Sequence, residues 1–213
     1  MGADPELPAG EFGEWLVSTR AAARGEADAV VPCDGCTACC TASQFVHIAP
    51  DELDALAHIP SELLAPAPGR PPGHVVLGYD GLGRCPMLVD GRCSIYEHRP
   101  RTCRTYDCRV FAATAVRDEE PRKVEITRRV GRWRFFVTGA DDATRLAAVR
   151  AAAAFLDAHA DELGGAVPGP AASRAALALA LHERFLGHDP GRGTLTVIEP
   201  DVTDIRAAID HAR

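Results

Sequence analysis

Eight cysteines occupy the first half of the 213-residue chain, and none occurs in the second half. Four of them lie within the stretch CDGCTACC, and four more follow across an arginine-rich stretch. They are Cys33, Cys36, Cys39, Cys40, Cys85, Cys93, Cys103 and Cys108. Thiolates at such spacings are ligands for zinc and for iron–sulfur clusters. The sequence therefore predicts metal ligation by all eight cysteines.

Disulfides are the main alternative use of so many cysteines. The amino terminus shows no basic stretch followed by an apolar run, so no signal peptide is predicted. Nor does any segment reach the roughly 18 apolar residues that span a bilayer. We therefore expect a cytoplasmic protein with no membrane association, in which thiols stay reduced. Adjacent Cys39 and Cys40 would also form disulfides only with strain or with different partners.

The first cysteine block suits either of two cofactors. Gly35 relieves the tight turn between Cys33 and Cys36, and Cys39 continues the same register. Such a run, followed by a distant Cys-Pro such as Cys85-Pro86, is typical of a four-iron cluster. Zinc accepts the same thiolates. The expected cofactor is therefore Zn²⁺ or a [4Fe–4S] cluster.

The spacing leaves the pairing of cysteines with metals open. Because neighbouring side chains of an extended chain diverge, Cys39 and Cys40 are expected to serve different sites or different metals of one close pair. One partition joins Cys33, Cys36, Cys39 and Cys85 at one site, and Cys40, Cys93, Cys103 and Cys108 at another. His47 or His98 can replace a thiolate, although hydrogen-bonded or solvent-facing histidines are the commoner case.

Apolar periodicity predicts how the first half of the chain is organised. Residues 11–27 read as a helix with Phe12, Trp15, Leu16 and Thr19 on one face. A short strand before Pro50 precedes an amphipathic helix that carries Leu53, Leu56 and Ile59. Asp80-Gly81 and Asp90-Gly91 are turn sequences, and the two reversals would bring Cys85 and Cys93 together.

The second half reads as a hairpin followed by helices. Residues 122–139 alternate apolar and polar residues around Gly131, which predicts a β-hairpin. Helices are expected over 141–163 and 172–186, then a strand at LTVIE and a last helix over 201–212. The fold class is thus α+β, in three parts. These are an N-terminal helix (1–30), a small metal-stabilised cysteine-rich module with short strands (31–110), and a hairpin plus helical C-terminal region (111–213).

The charge and the absence of familiar catalytic motifs limit the function classes. A net charge of -7 disfavours generic nucleic-acid binding, which needs a basic face. One basic stretch, residues 122–134, surrounds Trp133 and keeps a zinc-ribbon-like nucleic-acid binder open as an alternative. We find no HExxH, GxSxG or P-loop sequence and no glycine-rich nucleotide loop after a strand. Whether the protein is an enzyme stays open.

The arrangement CDGCTACC followed by GRCPMLVDGRCSIYEHRPRTCRTYDC resembles the YkgJ-type CxxCxxCC cysteine-cluster family of zinc- or iron-chelating domains. The shared features are Cys85-Pro86, Gly91 to Tyr96, Arg99-Pro100 and Cys103-Arg104, and the resemblance runs from about residue 31 to 110. All eight family cysteines have counterparts here. The resemblance implies metal binding with a mainly structural or accessory role, with the C-terminal helices available for a protein partner. The alternative within this reading is an iron–sulfur redox protein or an accessory enzyme of protein modification.

Overall fold

The computed structural model describes residues 4–33 and 35–211. Within them the α-helices are α1 (Phe12–Ala23), α2 (Leu53–His58), α3 (Arg101–Thr105), α4 (Arg109–Thr114), α5 (Val124–Arg132), α6 (Ala140–Ala158), α7 (Ala171–Leu181) and α8 (Val202–His211). The strands are β1 (Leu7–Glu11), β2 (Val46–Ile48), β3 (Leu64–Pro66), β4 (Val75–Leu77), β5 (Leu88–Val89), β6 (Arg92–Cys93), β7 (Trp133–Phe136), β8 (Leu186–Asp189) and β9 (Thr194–Val197). None of the described helices is both long and apolar enough to cross a membrane.

The predicted α+β class is confirmed, with 46% helix and 14% strand in small sheets. The chain forms two compact units. The helical unit comprises residues 1–20, 108–118 and 130–213, and the cysteine unit comprises residues 21–107 and 119–129. The division into three parts at residues 30 and 110 stays a prediction.

The aromatic face predicted for the first helix is confirmed. Phe12, Trp15 and Leu16 are buried, and Thr19 is 8% exposed. The rings of Phe12 and Trp15 lie 5.6 and 4.7 Å from that of Phe135 on β7. This cluster packs beneath the parallel pair of β1 and β7, in which Leu7 is opposite Trp133. The amino terminus therefore belongs to the core of the helical unit.

The hairpin predicted for residues 122–139 is wrong. Residues 124–132 form helix α5, and the following strand β7 pairs with β1 instead of with its own neighbour. The less exposed positions of this helix, Ile126, Arg129 and Val130, are three and four residues apart from Ile126, which is the helical repeat. Val124, taken as a core residue of a strand, is 54% exposed. Two apolar residues in alternation were too short a pattern to separate strand from helix.

Two packed helices form a large part of the helical unit. Helices α6 and α7 contact each other and bury Val149, Leu156, Leu179 and Phe185 between and beside them. The strand predicted at LTVIE is β9, which pairs antiparallel with β8.

The cysteine unit is built on a three-stranded sheet in the order β2-β4-β3. Its main apolar cluster consists of six buried residues: Val46, Ile48, Ala55, Ile59, Leu77 and Ile95. The predicted strand and helix around Pro50 are present. However, Leu53 is 71% exposed, because α2 begins there and turns Ala55 towards the core in its place.

A buried histidine lies at the end of α7. His182 is 1% exposed, and its Nδ1 lies 2.7 Å from the Leu179 carbonyl oxygen. Burial lowers the pKa of His182 below the ordinary value of a histidine.

We expect the helical unit to lose stability as the pH falls from about 7.5 to 5.5. The folded-state pKa of His182 is lowered, so the unfolded chain takes up the proton first, from about pH 6.5 downwards. Denaturant unfolding followed by the fluorescence of Trp15 and Trp133, both in the helical unit, measures the change. The variant His182→Gln should depend less on pH over this window. If the stability of the wild type and that of His182→Gln depended equally on pH, His182 would not be the group that causes the loss.

Candidate metal centre

Two main-chain hydrogen bonds join the first cysteine block to the second. The amide of Ser43 donates to the carbonyl of Gly83 at 2.9 Å, and the amide of Cys85 donates to the carbonyl of Cys40 at 2.7 Å. These bonds connect residues that are 40 and 45 positions apart in the sequence. They bring the Cys-x-x-Cys block beside the start of the Cys85–Cys93 segment.

Gly83 makes this approach sterically feasible. Its φ is +77°, in the region that favours glycine, and a Cβ on it would overlap the Oγ of Ser43. Ser43 itself has a φ of 51°. Both segments therefore take uncommon backbone conformations at the point where they are hydrogen-bonded.

The first block folds as two consecutive turns. The amide of Cys36 donates to the carbonyl of Cys33 at 2.8 Å, with Gly35 at a φ of +75°, so the tight turn expected between them is present. A 3₁₀ helix over Ala38–Thr41 follows. Within this helix, the sulfurs of Cys39 and Cys40 lie 3.8 Å apart. The expectation that these neighbouring side chains diverge is wrong, because the chain here is helical and not extended.

The second block begins with a hairpin that the sequence predicts correctly. Strands β5 and β6 place Leu88 opposite Cys93, and the turn residues Asp90 and Gly91 both have positive φ, as a tight two-residue hairpin requires. The amide of Leu88 also donates to the carbonyl of Cys85 at 2.9 Å. Cys85 and Cys93 therefore lie at the same end of this small element.

The other predicted reversal, at Asp80-Gly81, is a closed loop and not a strand hairpin. The Asp80 carboxylate accepts hydrogen bonds from the amides of Leu82 and Arg84, both at 2.9 Å. This loop ends directly before Cys85.

Cys103 is positioned by a buried carboxylate. It lies on α3, where the amide of Arg101 donates to Oε2 of Glu52. Oε1 of Glu52 accepts a second bond from the amide of Ala49 at 2.9 Å. The hydroxyl of Thr102 donates to the carbonyl of His47 at 2.6 Å. These bonds hold α3 against the end of β2.

Three cysteines from the second block pack on one apolar surface. Cys85, Cys93 and Cys103 are half-buried, and each contacts the six-residue core of the cysteine unit. Cys33 and Cys39 are exposed residues, and Cys36 and Cys40 are half-buried. No disulfide joins any two of the eight cysteines, all of which lie in the described part of the chain.

The thiols raise one another's pKa values. Burial and then the neighbouring Cys39, Cys85 and Cys93 raise the pKa of Cys103 to about 12. The pKa of Cys85 is raised by burial and, to a smaller extent, by Cys93 and Cys39. That of Cys39 is raised chiefly by the hydrogen bond with Cys40. These sulfurs are therefore near enough to repel one another as thiolates.

The pKa of Cys33 is raised by burial and then by Cys39 and Cys36, while Arg129 opposes the shift. Arg99, whose guanidinium lies 3.6 Å above the Tyr96 ring, likewise lowers the pKa of Cys103. Positive charge at these two places favours the thiolate form that metals bind.

The sulfurs approach in pairs, not in threes. Among the residues that the structure describes, no three cysteine sulfurs all lie within 4.8 Å of one another. The 3.8 Å between Cys39 and Cys40 equals the edge of a sulfur tetrahedron around zinc, about 3.8 Å for bonds of about 2.3 Å. Binding of one ion by four thiolates therefore requires side-chain rotations that draw the other sulfurs inward.

A return segment, residues 119–129, packs against the first block. The ammonium group of Lys123 donates to the carbonyl of Ala42 at 2.6 Å, and the guanidinium of Arg129 donates to the carbonyls of Pro32 and Cys33 at 3.0 and 3.3 Å. Ile126 between them is 3% exposed. This segment fixes both ends of the first block.

Residues 32–127 match the family model named CxxCxxCC, which is described as a "putative zinc- or iron-chelating domain". The match covers somewhat less than half of the chain. The resemblance read from the cysteine spacing is thereby confirmed. No curated protein and no solved structure matches the chain.

The match extends beyond the last cysteine to Thr127 and so includes most of the return segment. Sequence reasoning missed this part of the CxxCxxCC domain. Lys123 is the only lysine of the chain and was assigned no role, although a single lysine among 22 arginines was a signal. Lys123 and Arg129 hold main-chain carbonyls of the cysteine block.

One predicted ligand, Cys108, and the two histidines considered as replacements for a thiolate, His47 and His98, have other contacts in the structure. Cys108 belongs to the helical unit, where its sulfur accepts a hydrogen bond from Nε1 of Trp133 at 3.3 Å. Nε2 of His47 lies 2.9 Å from Nδ1 of His74, and His98 pairs with Asp54. The ligand role of Cys108 stays a prediction.

We expect Gly83→Ala to weaken the contact between the two cysteine blocks. An alanine at this φ costs about 1–2 kcal/mol, and its Cβ displaces the Ser43 side chain. Metal retention against a competing chelator measures the effect. Gly81→Ala is the matched control in the same loop, since its added Cβ meets no atom within 4 Å and its φ is not positive. Equal retention in the two variants would contradict this role of Gly83.

We expect Glu52→Gln to loosen α3. The new amide group places a donor against a main-chain donor, which costs about 1–3 kcal/mol. Hydrogen exchange of the Ala49 and Arg101 amides and metal retention are the measurements. The neighbouring Asp51→Asn is the control, because it removes an exposed ion pair with Arg101 that contributes little. Unchanged exchange in Glu52→Gln would show that the carboxylate does not hold the helix.

Proposed function

We propose that the cysteine unit is a metal-binding module whose thiolates coordinate Zn²⁺ or an iron–sulfur cluster, with a mainly structural role. The observation that carries the proposal is the pair of main-chain bonds between residues 40–43 and 83–85. These bonds bring two thiol-bearing segments together without any contribution from the sulfurs themselves. The donors are cysteine thiols, and the positive charges of Arg129 and Arg99 act on Cys33 and Cys103. Such a donor set fits both cofactors.

One group of thiols supports the proposal most strongly. Cys85, Cys93 and Cys103 share one apolar surface, and after burial it is Cys39, Cys85 and Cys93 that raise the pKa of Cys103. We infer that Cys39, Cys85, Cys93 and Cys103 form the first ligand set. Cys85 therefore joins Cys93 and Cys103, which the partition drawn from the sequence had separated.

A structural role follows from the size of the apolar cluster. Six buried residues are a small core for a unit that includes residues 21–107. Structural zinc contributes about 10–16 kcal/mol of apparent binding free energy in small domains. Metal binding on this scale would decide whether the unit is folded.

Two observations bear on the identity of the metal. The four thiols of the inferred set, Cys39, Cys85, Cys93 and Cys103, equal the number of ligands that one structural zinc ion takes. The register of Cys33, Cys36 and Cys39 with Cys85-Pro86 suits a four-iron cluster, whose inorganic core separates its thiolates more widely than one ion does. An iron–sulfur protein in electron transfer or in assistance of a modification reaction is therefore the second candidate function.

The nucleic-acid alternative gains no support from its basic stretch. Trp133 is 3% exposed, and Phe135 packs against Trp15, so neither ring offers a free face for base stacking. Lys123 and Arg129 bind carbonyl oxygens of the cysteine unit.

The test is metal analysis of the full chain purified without oxygen, with an absorption spectrum. We expect bound zinc with no colour, or iron and sulfide with absorption near 400 nm. Removing the metal should collapse the dichroism of the cysteine unit, and Cys85→Ser or Cys103→Ser should lower the metal content. Ser94→Ala, a change beside Cys93, is the control and should bind as the wild type does. Metal-free protein that keeps its dichroism and melting temperature would contradict the proposal.

A further inference from the structure

A second group of metal-ligating side chains in the cysteine unit contains no cysteine. Asp54 and His58 lie on α2, and His98 ends the 3₁₀ helix Tyr96–His98. One ligand atom from each residue lies within 4.8 Å of the other two. Within residues 4–33 and 35–211, these are the three histidine, cysteine or carboxylate side chains whose ligand atoms lie this close to one another.

The separations between these atoms suit one small cation. Nδ1 of His98 lies 2.9 Å from Oδ2 of Asp54, and Nδ1 of His58 lies 3.7 Å from Oδ1. Ligand atoms around a tetrahedral zinc ion, with bonds of about 2.0–2.1 Å, are about 3.4 Å apart. The measured separations lie on either side of this value. The distances therefore suit one ion, but the imidazoles are stacked in parallel and must turn apart before both can direct a nitrogen lone pair at it.

The backbone aligns these side chains before any ligand binds. Asp54 and His58 are four residues apart on a helix, which puts both on one face. The imidazoles of His58 and His98 are stacked, with ring centroids 3.5 Å apart and an angle of 4° between the planes. Nδ1 of His58 also lies 2.8 Å from the main-chain oxygen of Asp54. Both rings thus meet the same residue.

We propose that Asp54, His58 and His98 bind one divalent transition-metal ion of the zinc class, at a site separate from the thiols. Two imidazoles and a carboxylate suit zinc, nickel and cobalt, whereas the cysteine thiolates favour softer metal ions. Three protein ligands leave at least one coordination position to water. Cation binding through these nitrogens would replace two hydrogen bonds with bonds to the ion: the one between His98 and the Asp54 carboxylate, and the one from Nδ1 of His58 to the main-chain oxygen of Asp54.

The exposure of the site predicts an exchangeable ion. The side chains of Asp54, His58 and His98 are 69%, 42% and 40% exposed. Water competes for each ligand and reaches the ion directly. We therefore expect weaker and faster-exchanging binding than at the thiols.

The experiment uses ¹¹³Cd²⁺ as the probe, added to the full chain beyond saturation of the thiols. The ¹¹³Cd NMR signal of a nitrogen- and oxygen-bound ion is well separated from that of a sulfur-bound ion. We expect the wild type to show a nitrogen/oxygen signal. His58→Gln and His98→Gln should each weaken this site at least about tenfold and leave sulfur-region signals unchanged. Unchanged sulfur signals, where present, and an unchanged melting temperature show that the variants fold.

His159→Gln is the matched control, because His159 is a single histidine paired with Glu162 at 2.7 Å. It should keep the nitrogen/oxygen signal. The proposal is overturned if the wild type lacks that signal, or if both His58→Gln and His98→Gln retain it. If the wild type lacks the nitrogen/oxygen signal and the variants change only the melting temperature, the three side chains serve the packing of α2 and not metal binding. Absence of sulfur-bound cadmium alone would contradict the proposed function and leave this site standing.

Discussion

Repulsion between thiolates is the constraint on which the cysteine unit depends. A cluster of thiolates can be assembled only if other interactions oppose that repulsion. Burial first, and then Cys39, Cys85 and Cys93, raise the pKa of Cys103 to about 12, so the neutral thiol is favoured there. The opposing interactions in this unit are main-chain hydrogen bonds and one small apolar cluster. A bound cation would convert the repulsion into ligation. The metal and the scaffold are therefore complementary, because neither alone would hold the thiolates together.

The scaffold consists mainly of polar contacts to the backbone. The Glu52 carboxylate accepts hydrogen bonds from main-chain amides, while Lys123 and Arg129 donate hydrogen bonds to main-chain carbonyls. Such bonds fix the path of irregular loops, whose backbone groups no sheet or helix satisfies. A cysteine block made of turns offers many such groups. This explains why the return segment after the last cysteine is part of the matched CxxCxxCC domain, although it supplies no thiol.

Sequence reasoning succeeded where short-range rules decide the outcome. The Cys33–Cys36 turn and the Asp90-Gly91 hairpin follow from local backbone chemistry, and the apolar face of α1 follows from helical periodicity. Sequence reasoning failed where contacts between distant segments decide the local structure. Residues 124–132 alternate briefly like a strand, but the buried position of Ile126 makes them a helix. Nor did spacing reveal that α2 and the 96–98 turn bring His58 and His98 into stacking contact.

The two candidate sites differ in the way that protein ligands usually divide metals. Thiolates bind tightly, release protons on binding and are partly shielded here by an apolar surface. The imidazoles and carboxylate of Asp54, His58 and His98 are solvent-exposed and need no deprotonation of a thiol. A unit with both sites would hold one metal as part of its fold and exchange another with solution. Differences in exchange rate, more than differences in affinity, would then distinguish a structural metal from an exchangeable one in this protein.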